Sequence, residues 1–192
     1  EKGPNAFYYF EFDTAKGEAS YASRANFHSP TGSATPFSDF ELNTGSLARP
    51  AFGDVDGDLD LDIVVGQTED SNSNVGVLYY FQNTGTPSDP KWEPKWDDPL
   101  TNTFSGIEAS ADIAPALADL NDDDLLDLVL GDSTGTLRFY ANVGTATSPK
   151  YETESDNPFP AGFDVGEYST PAVGDVNGDG LPDVVVGSFD EG

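Results

Sequence analysis

Oxygen-bearing side chains recur at one fixed spacing in three short loops of the chain. In each loop, positions 1, 3, 5 and 9 carry Asp or Asn, and the first loop runs from Asp54 to Asp62. Alternate residues of a tightly curled loop can turn inward together, and Ca²⁺ takes about six to eight oxygen ligands at roughly 2.3–2.6 Å. The spacing therefore predicts one calcium site in each loop, with the backbone carbonyl of position 7 as a further ligand.

The predicted metal ligands keep the same register in all three copies. In chain order they are Asp54, Asp56, Asp58, Asp60, Asp62, Asp119, Asn121, Asp123, Leu125, Asp127, Asp175, Asn177, Asp179, Leu181 and Asp183. The alternative is a plain solvated turn, because Asp, Asn and Gly are all favoured in turns for backbone reasons. A turn needs only one or two such residues, however, and clustered carboxylates without a cation repel each other. The metal interpretation is therefore favoured.

The residues that follow each loop distinguish between two kinds of calcium loop. An EF-hand requires a helix on each side and a Glu at position 12. Position 12 is Val65, Leu130 or Val186 here, and each of these lies within an aliphatic run. The loops are therefore predicted to join two β strands rather than two helices.

Each loop belongs to a larger repeat of strand-like segments. The aliphatic run is followed by an aromatic strand, at Leu78–Phe81 and Leu137–Tyr140, and then by a Pro-Lys-aromatic-Glu segment, at Pro90–Glu93 and Pro149–Glu152. No sustained helical periodicity is present, and Gly and Pro interrupt every segment. Four short strands in a unit of roughly 55–70 residues are typical of a propeller blade. The predicted fold is all-β, with about three β-propeller-type blades of four antiparallel strands and a calcium loop between the first two strands of each blade.

The repeat divides the chain into four parts. Residues 1–49 are predicted to form the second half of a blade plus a connection, residues 50–114 and 115–170 two repeats, and residues 171–192 the first half of a blade. Phe7–Phe12 matches the aromatic strand, so the two half-blades are complementary. Because an unpaired strand edge is a template for another chain, we expect the halves to pair, either within a longer propeller, by closure of the chain on itself, or head to tail between copies as a filament. Of these we favour an assembly or a tandem array.

The composition excludes several classes of partner. Eight Lys and Arg against 35 Asp and Glu give a formal net charge of -27, so neither nucleic acid nor an anionic membrane is an expected partner. No apolar run approaches the 18 or so residues of a membrane span, and the chain contains no cysteine for a disulfide or a thiolate site. Aromatic residues make up 12% of the chain, which argues against disorder. Secreted calcium modules are commonly weak binders matched to calcium outside cells, so an extracellular or cell-surface location is expected.

The three loops, with their Asp-x-Asp/Asn-x-Asp-x-x-x-Asp register, resemble the FG-GAP/VCBS calcium-binding repeats of integrin α-subunit propellers and of many bacterial secreted proteins. The resemblance implies that each loop joins the first two strands of a blade and holds one Ca²⁺, three ions in all. The Phe-Gly pair of that family occurs only as Phe52-Gly53, and its glycine at loop position 6 only as Gly180. Leu59 and Asp124 stand at position 6 in the other loops, and these departures concern how tightly those loops turn rather than their ligands.

These features favour a non-enzymatic, extracellular calcium-binding module for adhesion or for surface or filament assembly. Its expected partners are other copies of itself or adjacent repeats of a longer chain, and an extracellular protein or glycan. The alternative is a calcium-dependent, lectin-like carbohydrate-binding module, because Trp92, Trp96 and Tyr151 could stack on sugar faces. An enzyme is not expected, since the only histidine, His28, lies in a loop rich in Ser, Pro and Gly without a repeated partner.

Overall fold

The computed structural model describes residues 10–13, 18–21, 46–68, 74–95, 102–107, 109–153, 157–160 and 163–189. Within these residues the fold is all-β and every strand pairing is antiparallel, which confirms the predicted class. None of the described segments forms a helix that could cross a membrane. His28, Trp96 and residues 7–9 of the predicted first aromatic strand lie outside the described residues.

The described residues form thirteen strands. They are β1 (Phe10–Asp13), β2 (Glu18–Tyr21), β3 (Ser46–Gly53), β4 (Asp62–Thr68), β5 (Val75–Asn83), β6 (Trp92–Pro94), β7 (Ala109–Ser110), β8 (Ala114–Ala118), β9 (Asp127–Gly131), β10 (Leu137–Asn142), β11 (Tyr151–Glu152), β12 (Glu167–Gly174) and β13 (Asp183–Phe189).

The strands repeat one four-stranded pattern, which is complete twice. In unit 1 the order is β3-β4-β5-β6, with β7 paired to β5, and in unit 2 it is β8-β9-β10-β11. Unit 3 contains β12 and β13, and the N-terminal hairpin contains β1 and β2. The aromatic third strands and the short fourth strands are found where the sequence predicts them. The fourth strands begin at Trp92 and Tyr151, two residues after the prolines, because the residues before them close a turn with the third strand.

Apolar side chains fill two layers between successive units. Val64 and Tyr80 of unit 1 meet Leu128 and Leu130 of unit 2 in the first layer. In the second layer, Val129 and Phe139 of unit 2 meet Val173 and Val186 of unit 3. Successive side chains of a strand point to opposite faces of the sheet. One face of each sheet therefore packs against the preceding unit and the other face against the following unit. The first strands lie side by side, since β8 contacts both β3 and β12.

Two glycines allow the units to approach closely. Gly66 ends the aliphatic part of β4, and a Cβ there would overlap the carbonyl oxygen of Ile113, at the entry to unit 2. Gly131 holds the same place in β9, and its Cβ would overlap the carbonyl oxygen of Ser169, at the entry to unit 3. Each of these glycines is therefore required by the unit that follows it.

The entry to each first strand has an unusual backbone that the sequence did not predict. Leu47, Asp112 and Tyr168 each stand three residues before the proline of their repeat, and their φ angles are 58°, 56° and 56°. Left-handed backbone is uncommon for residues with a Cβ. In β3 and β12 the strand register also shifts at this point, so the entry is an irregular, bulged turn.

Candidate metal centres

The three predicted metal loops occupy equivalent places in the fold. Each joins the first and second strands of its unit, as the strand-loop-strand hypothesis predicts: residues 54–61 between β3 and β4, 119–126 between β8 and β9, and 175–182 between β12 and β13. Residues of the second and third loops line one cleft between units 2 and 3. The second and third loops therefore lie along the same edge of units 2 and 3.

The backbone of the three loops follows one course, with left-handed residues at positions 4 and 6. At position 6 the φ angles are 72° at Leu59, 65° at Asp124 and 86° at Gly180. The two loops that lack the expected glycine are thus turned as tightly as the third. The conformation costs a residue with a Cβ more than it costs glycine, so the first two loops hold it under strain.

The side chains of positions 1, 3 and 5 shape the loop by accepting hydrogen bonds from its own N–H groups. In the first loop, Asp54 accepts from the N–H groups of Asp58 at 3.1 Å and Leu59 at 2.9 Å, and Asp58 accepts from that of Asp60 at 2.9 Å. The second and third loops repeat the position 1 to position 6 bond, at 2.7 Å from Asp124 and 2.9 Å from Gly180. Asn at position 3 accepts from position 5 just as Asp does.

These bonds turn three side chains towards one point. Asp54, Asp56 and Asp58 each offer a carboxylate oxygen, and these oxygens lie within 4.8 Å of one another. Desolvation by burial, followed by the negative charges of Asp58, Asp54 and Asp56, raises the pKa of Asp60 above its ordinary value. An all-oxygen cluster with unbalanced negative charge fits a hard divalent cation.

Position 9 has a structural role that the sequence did not reveal. Asp62 is fully buried, and its Oδ2 accepts hydrogen bonds from the N–H of Val55 and the hydroxyl of Tyr80, both at 3.0 Å. Its Oδ1 accepts from the N–H of Asn83, in the third strand, at 2.7 Å. Burial raises the pKa of Asp62 to about 6, while the bonds from Asn83 and Tyr80 act in the opposite direction. The carboxylate therefore links the loop to the third strand. As a metal ligand, which is its predicted role, Asp62 would use the lone pairs of its two oxygens that accept none of these hydrogen bonds.

Unit 2 contains the same tie. Asp127 is fully buried, with Oδ2 accepting from the N–H of Leu120 at 3.1 Å and Oδ1 from that of Asn142 at 2.9 Å. Burial raises the pKa of Asp127 as well. The recurrence shows that the bridge belongs to the repeat rather than to one loop.

The asparagines that end the third strands are a second feature that the sequence reasoning missed. Asn83 is buried, and its Oδ1 accepts from the N–H groups of Gly85 and Lys91, both at 3.0 Å. Asn142 makes the equivalent pair of bonds in unit 2. The repeated Asn-x-Gly at the ends of the two aromatic strands was the signal for these residues. They fix the turn that starts the fourth strand.

The aromatic residues expected to stack on sugars are placed differently from that expectation. Tyr151 is only 9% exposed, and its ring stacks on Phe104 with centroids 4.9 Å apart. Trp92 is half-buried and packs against the cluster of Ile63, Val65 and Phe81. The prediction of exposed stacking rings is wrong for Trp92 and Tyr151, because both rings fill the spaces between and beside the sheets. Trp96 lies outside the described residues.

Comparison with known proteins supports the repeat. The model of the family described as FG-GAP-like repeat matches residues 119–186, from the first predicted ligand of the second loop to β13. No curated protein matches the chain. The match includes the second and third loops and confirms the predicted resemblance over residues 119–186, whereas the first loop lies outside it.

Proposed function

Residues 119–186 carry an FG-GAP-like repeat, and on that premise we propose that the chain is a non-enzymatic, calcium-binding β-propeller-type module that acts in adhesion or surface assembly outside cells. The observation that carries the proposal is the shared geometry of the three loops. All three curl through the same position 1 to position 6 hydrogen bond and the same left-handed residues, and each joins the first two strands of its unit.

The donor set supports calcium as the ion. Every predicted ligand is an oxygen, from a carboxylate, a side-chain amide or a backbone carbonyl, and these are the ligands of hard cations. Mg²⁺ requires a near-ideal octahedron and keeps several waters, whereas Ca²⁺ accepts larger and less regular oxygen cages. A bound Ca²⁺ would balance the charge of Asp54, Asp56 and Asp58 and hold the loop in its curled form.

The arrangement of the units supports a propeller-type architecture. Two four-stranded antiparallel units and a third pair of strands pack face to face in chain order, with their first strands adjacent. Radial repetition of four-stranded sheets is the pattern of a β-propeller. We propose an extracellular location because calcium modules outside cells are commonly matched to the calcium there. We propose a non-enzymatic role because the loop carboxylates are engaged in shaping their own loops.

Isothermal calorimetry of the full chain with Ca²⁺ and with Mg²⁺ tests the proposal. We expect Ca²⁺ to bind with a stoichiometry of three, more tightly than Mg²⁺. Asp127→Ala should lower the stoichiometry by one, whereas Asp89→Asn, an exposed carboxylate in the turn before β6, should leave it unchanged.

Thermal melts give an independent measurement. A ligand bound only by the folded state at a hundredfold excess over its Kd stabilises that state by about 2.7 kcal/mol per site. We therefore expect a lower Tm in chelator than in calcium. Superimposable melts together with no heat of calcium binding would overturn the proposal.

A further inference from the structure

We propose that Tyr80 and Gln82 are positioning residues of the first metal loop, which hold two of its carboxylates in place and make it a tighter calcium site than the second loop. The inference rests on the proposed calcium binding and identifies side chains that set the affinity of one site. It is carried by hydrogen bonds from the third strand of unit 1 to its metal loop, and by the residues that stand at the same places in unit 2.

Two side chains of the third strand reach the first loop. Tyr80 and Gln82 stand two residues apart in β5, so their side chains lie on the same face of the sheet. The hydroxyl of Tyr80 donates to Oδ2 of Asp62 at 3.0 Å. The side-chain amide of Gln82 donates through Nε2 to Oδ2 of Asp56. The third strand therefore holds positions 3 and 9 of the loop through side chains, in addition to the backbone bond from Asn83 to Asp62.

Both carboxylate oxygens of Asp56 accept hydrogen bonds. An ionised carboxylate only accepts, so the amide of Gln82 must present its NH₂ group to it. The Oδ1 atom of Asp56 accepts from the N–H of Asp58 at 3.3 Å, within the loop. Among the described residues, Asp54, Asp56 and Asp58 form the group whose carboxylate oxygens lie within 4.8 Å of one another. A donor amide beside this cluster offsets part of the repulsion between its charges before an ion binds.

The third strand of unit 2 cannot make these side-chain bonds. The two third strands end at equivalent asparagines, so Phe139 stands at the place of Tyr80 and Ala141 at that of Gln82. Neither Phe139 nor Ala141 has a hydrogen-bonding group on its side chain. Both belong to the apolar layer between units 2 and 3. The side-chain contacts to the loop are therefore a feature of unit 1 and not of the repeat.

The second loop obtains its amide donor in another way. Its position 3 is Asn121, whose Nδ2 donates to Oδ2 of Asp123 at 3.0 Å. In the first loop position 3 is Asp56, and the amide comes from Gln82 instead. The first loop thus has carboxylates at all four of positions 1, 3, 5 and 9 and still has an amide donor, whereas the second loop has three carboxylates at those positions.

The two loops are otherwise well matched for comparison. Residues 54–62 and 119–127 contain five carboxylates each. Leu59 and Asp124 at position 6 have similar left-handed φ angles, 72° and 65°. The loops therefore differ in where the carboxylates stand and in what holds them, not in total charge or in the turn at position 6. Ligand charge and the rigidity of the site both set the affinity of a calcium loop, so the first loop should bind more tightly.

A calcium titration of the ¹⁵N-labelled full chain by NMR tests this order. The N–H groups of Leu59 and Asp124 each donate to position 1 of their own loop, so their signals report the two sites separately. We expect the signal of Leu59 to reach its bound position at a calcium concentration about 10-fold below that for Asp124. An equal or reversed order would overturn the proposal.

Gln82→Met and Tyr80→Phe test the two contacts. The first keeps the length of the side chain without its amide, and the second removes only the hydroxyl. Loss of a residue that holds a metal ligand typically weakens binding about 10- to 100-fold, so we expect each variant to raise the calcium Kd of the first loop about 10-fold and to leave the second loop unchanged. Thr147→Val is the matched control, because Thr147 lines the same cavity between units 1 and 2. Folded variants with an unchanged Kd, or an equal shift in the control, would overturn the positioning role.

Asp56→Asn shows whether Gln82 acts through Asp56. It gives the first loop the position 3 side chain of the second loop, which supplies its own amide. In this background Gln82→Met should change the Kd by less than about twofold, because the contact it removes no longer orients a charged ligand. An equal loss in both backgrounds would refute positioning through Asp56. Absence of calcium binding at all three loops would overturn the proposed function as well, whereas three sites indifferent to Tyr80 and Gln82 would overturn only their positioning role.

Discussion

Leu59 is the residue at which the strain of the metal loops is most open to measurement. It stands at position 6 of the first loop with a φ of 72°. The left-handed region costs an L-residue about 1–2 kcal/mol. The side chain is 86% exposed, so its removal takes little apolar surface out of the core. Leu59→Gly should therefore relieve the strain at almost no cost in packing.

The expected gain is the relieved strain less the larger chain entropy of glycine. That entropy term is roughly 0.5–1 kcal/mol, so the middle of the two ranges leaves a net stabilisation of about 0.75 kcal/mol. For a chain of this length, 1 kcal/mol corresponds to about 2–4 °C in Tm. We expect Leu59→Gly to raise the Tm by about 1–4 °C, measured by scanning calorimetry in excess calcium.

Three further substitutions isolate the cause. Leu59→Ala removes the side chain but keeps the Cβ, so it should give none of the gain. Asp124→Gly should gain less than Leu59→Gly, because Asp tolerates left-handed backbone better than Leu does. Gly180→Ala should lower the Tm, since it introduces the same strain into the third loop at a φ of 86°. If Leu59→Ala and Leu59→Gly change the Tm equally, or if both lower it, then backbone strain at position 6 does not reduce the stability of the protein.

Two other substitutions test the buried carboxylate of the first loop and the close contact between units 2 and 3. Asp62→Asn replaces one acceptor oxygen by a donor amide among buried donors, so we expect a loss of about 1–3 kcal/mol in urea unfolding, with weaker calcium binding at the first loop. The exposed Asp89→Asn serves as its control, and an equal loss there would contradict the role of the buried bridge. Gly131→Ala forces a Cβ onto the Ser169 carbonyl, and we expect a destabilisation of about 1–3 kcal/mol. Gly187→Ala is the matched control, because among the described residues a Cβ there would meet nothing closer than the carbonyl oxygen of Thr170, at 3.8 Å. Equal losses at residues 131 and 187 would refute the inter-unit contact.

The parts of the fold predicted from the sequence are those written in local patterns. The ligand spacing from Asp54 to Asp62 and the aromatic run at Leu78–Phe81 each lie within a few residues, and each specifies its own loop or strand. The absence of Glu at position 12 was enough to place strands rather than helices beside the loops. These inferences needed no knowledge of distant contacts.

The features that were missed depend on partners far away in the chain or on backbone angles. Asp62 reaches Asn83 across 21 residues, so the spacing of the loop does not reveal its second role. Leu47 and Tyr168 share a left-handed φ although neither residue type favours it. The sequence predicts an exposed ring at Tyr151, because a short outer strand that begins after a proline does not indicate that Phe104 stacks on it. Residue type alone does not determine any of these positions.

The close contact behind Gly66 and Gly131 also bears on how a gene for this kind of protein can grow. Each unit presents a glycine that only the next unit requires, so the two faces of a unit are interchangeable along the series. Duplication of a whole unit preserves both faces and should be tolerated, whereas deletion of part of a unit leaves one glycine without its neighbour. The number of repeat units can therefore change by whole units. The glycine at each contact is conserved between duplicates because the following unit leaves no room for a Cβ.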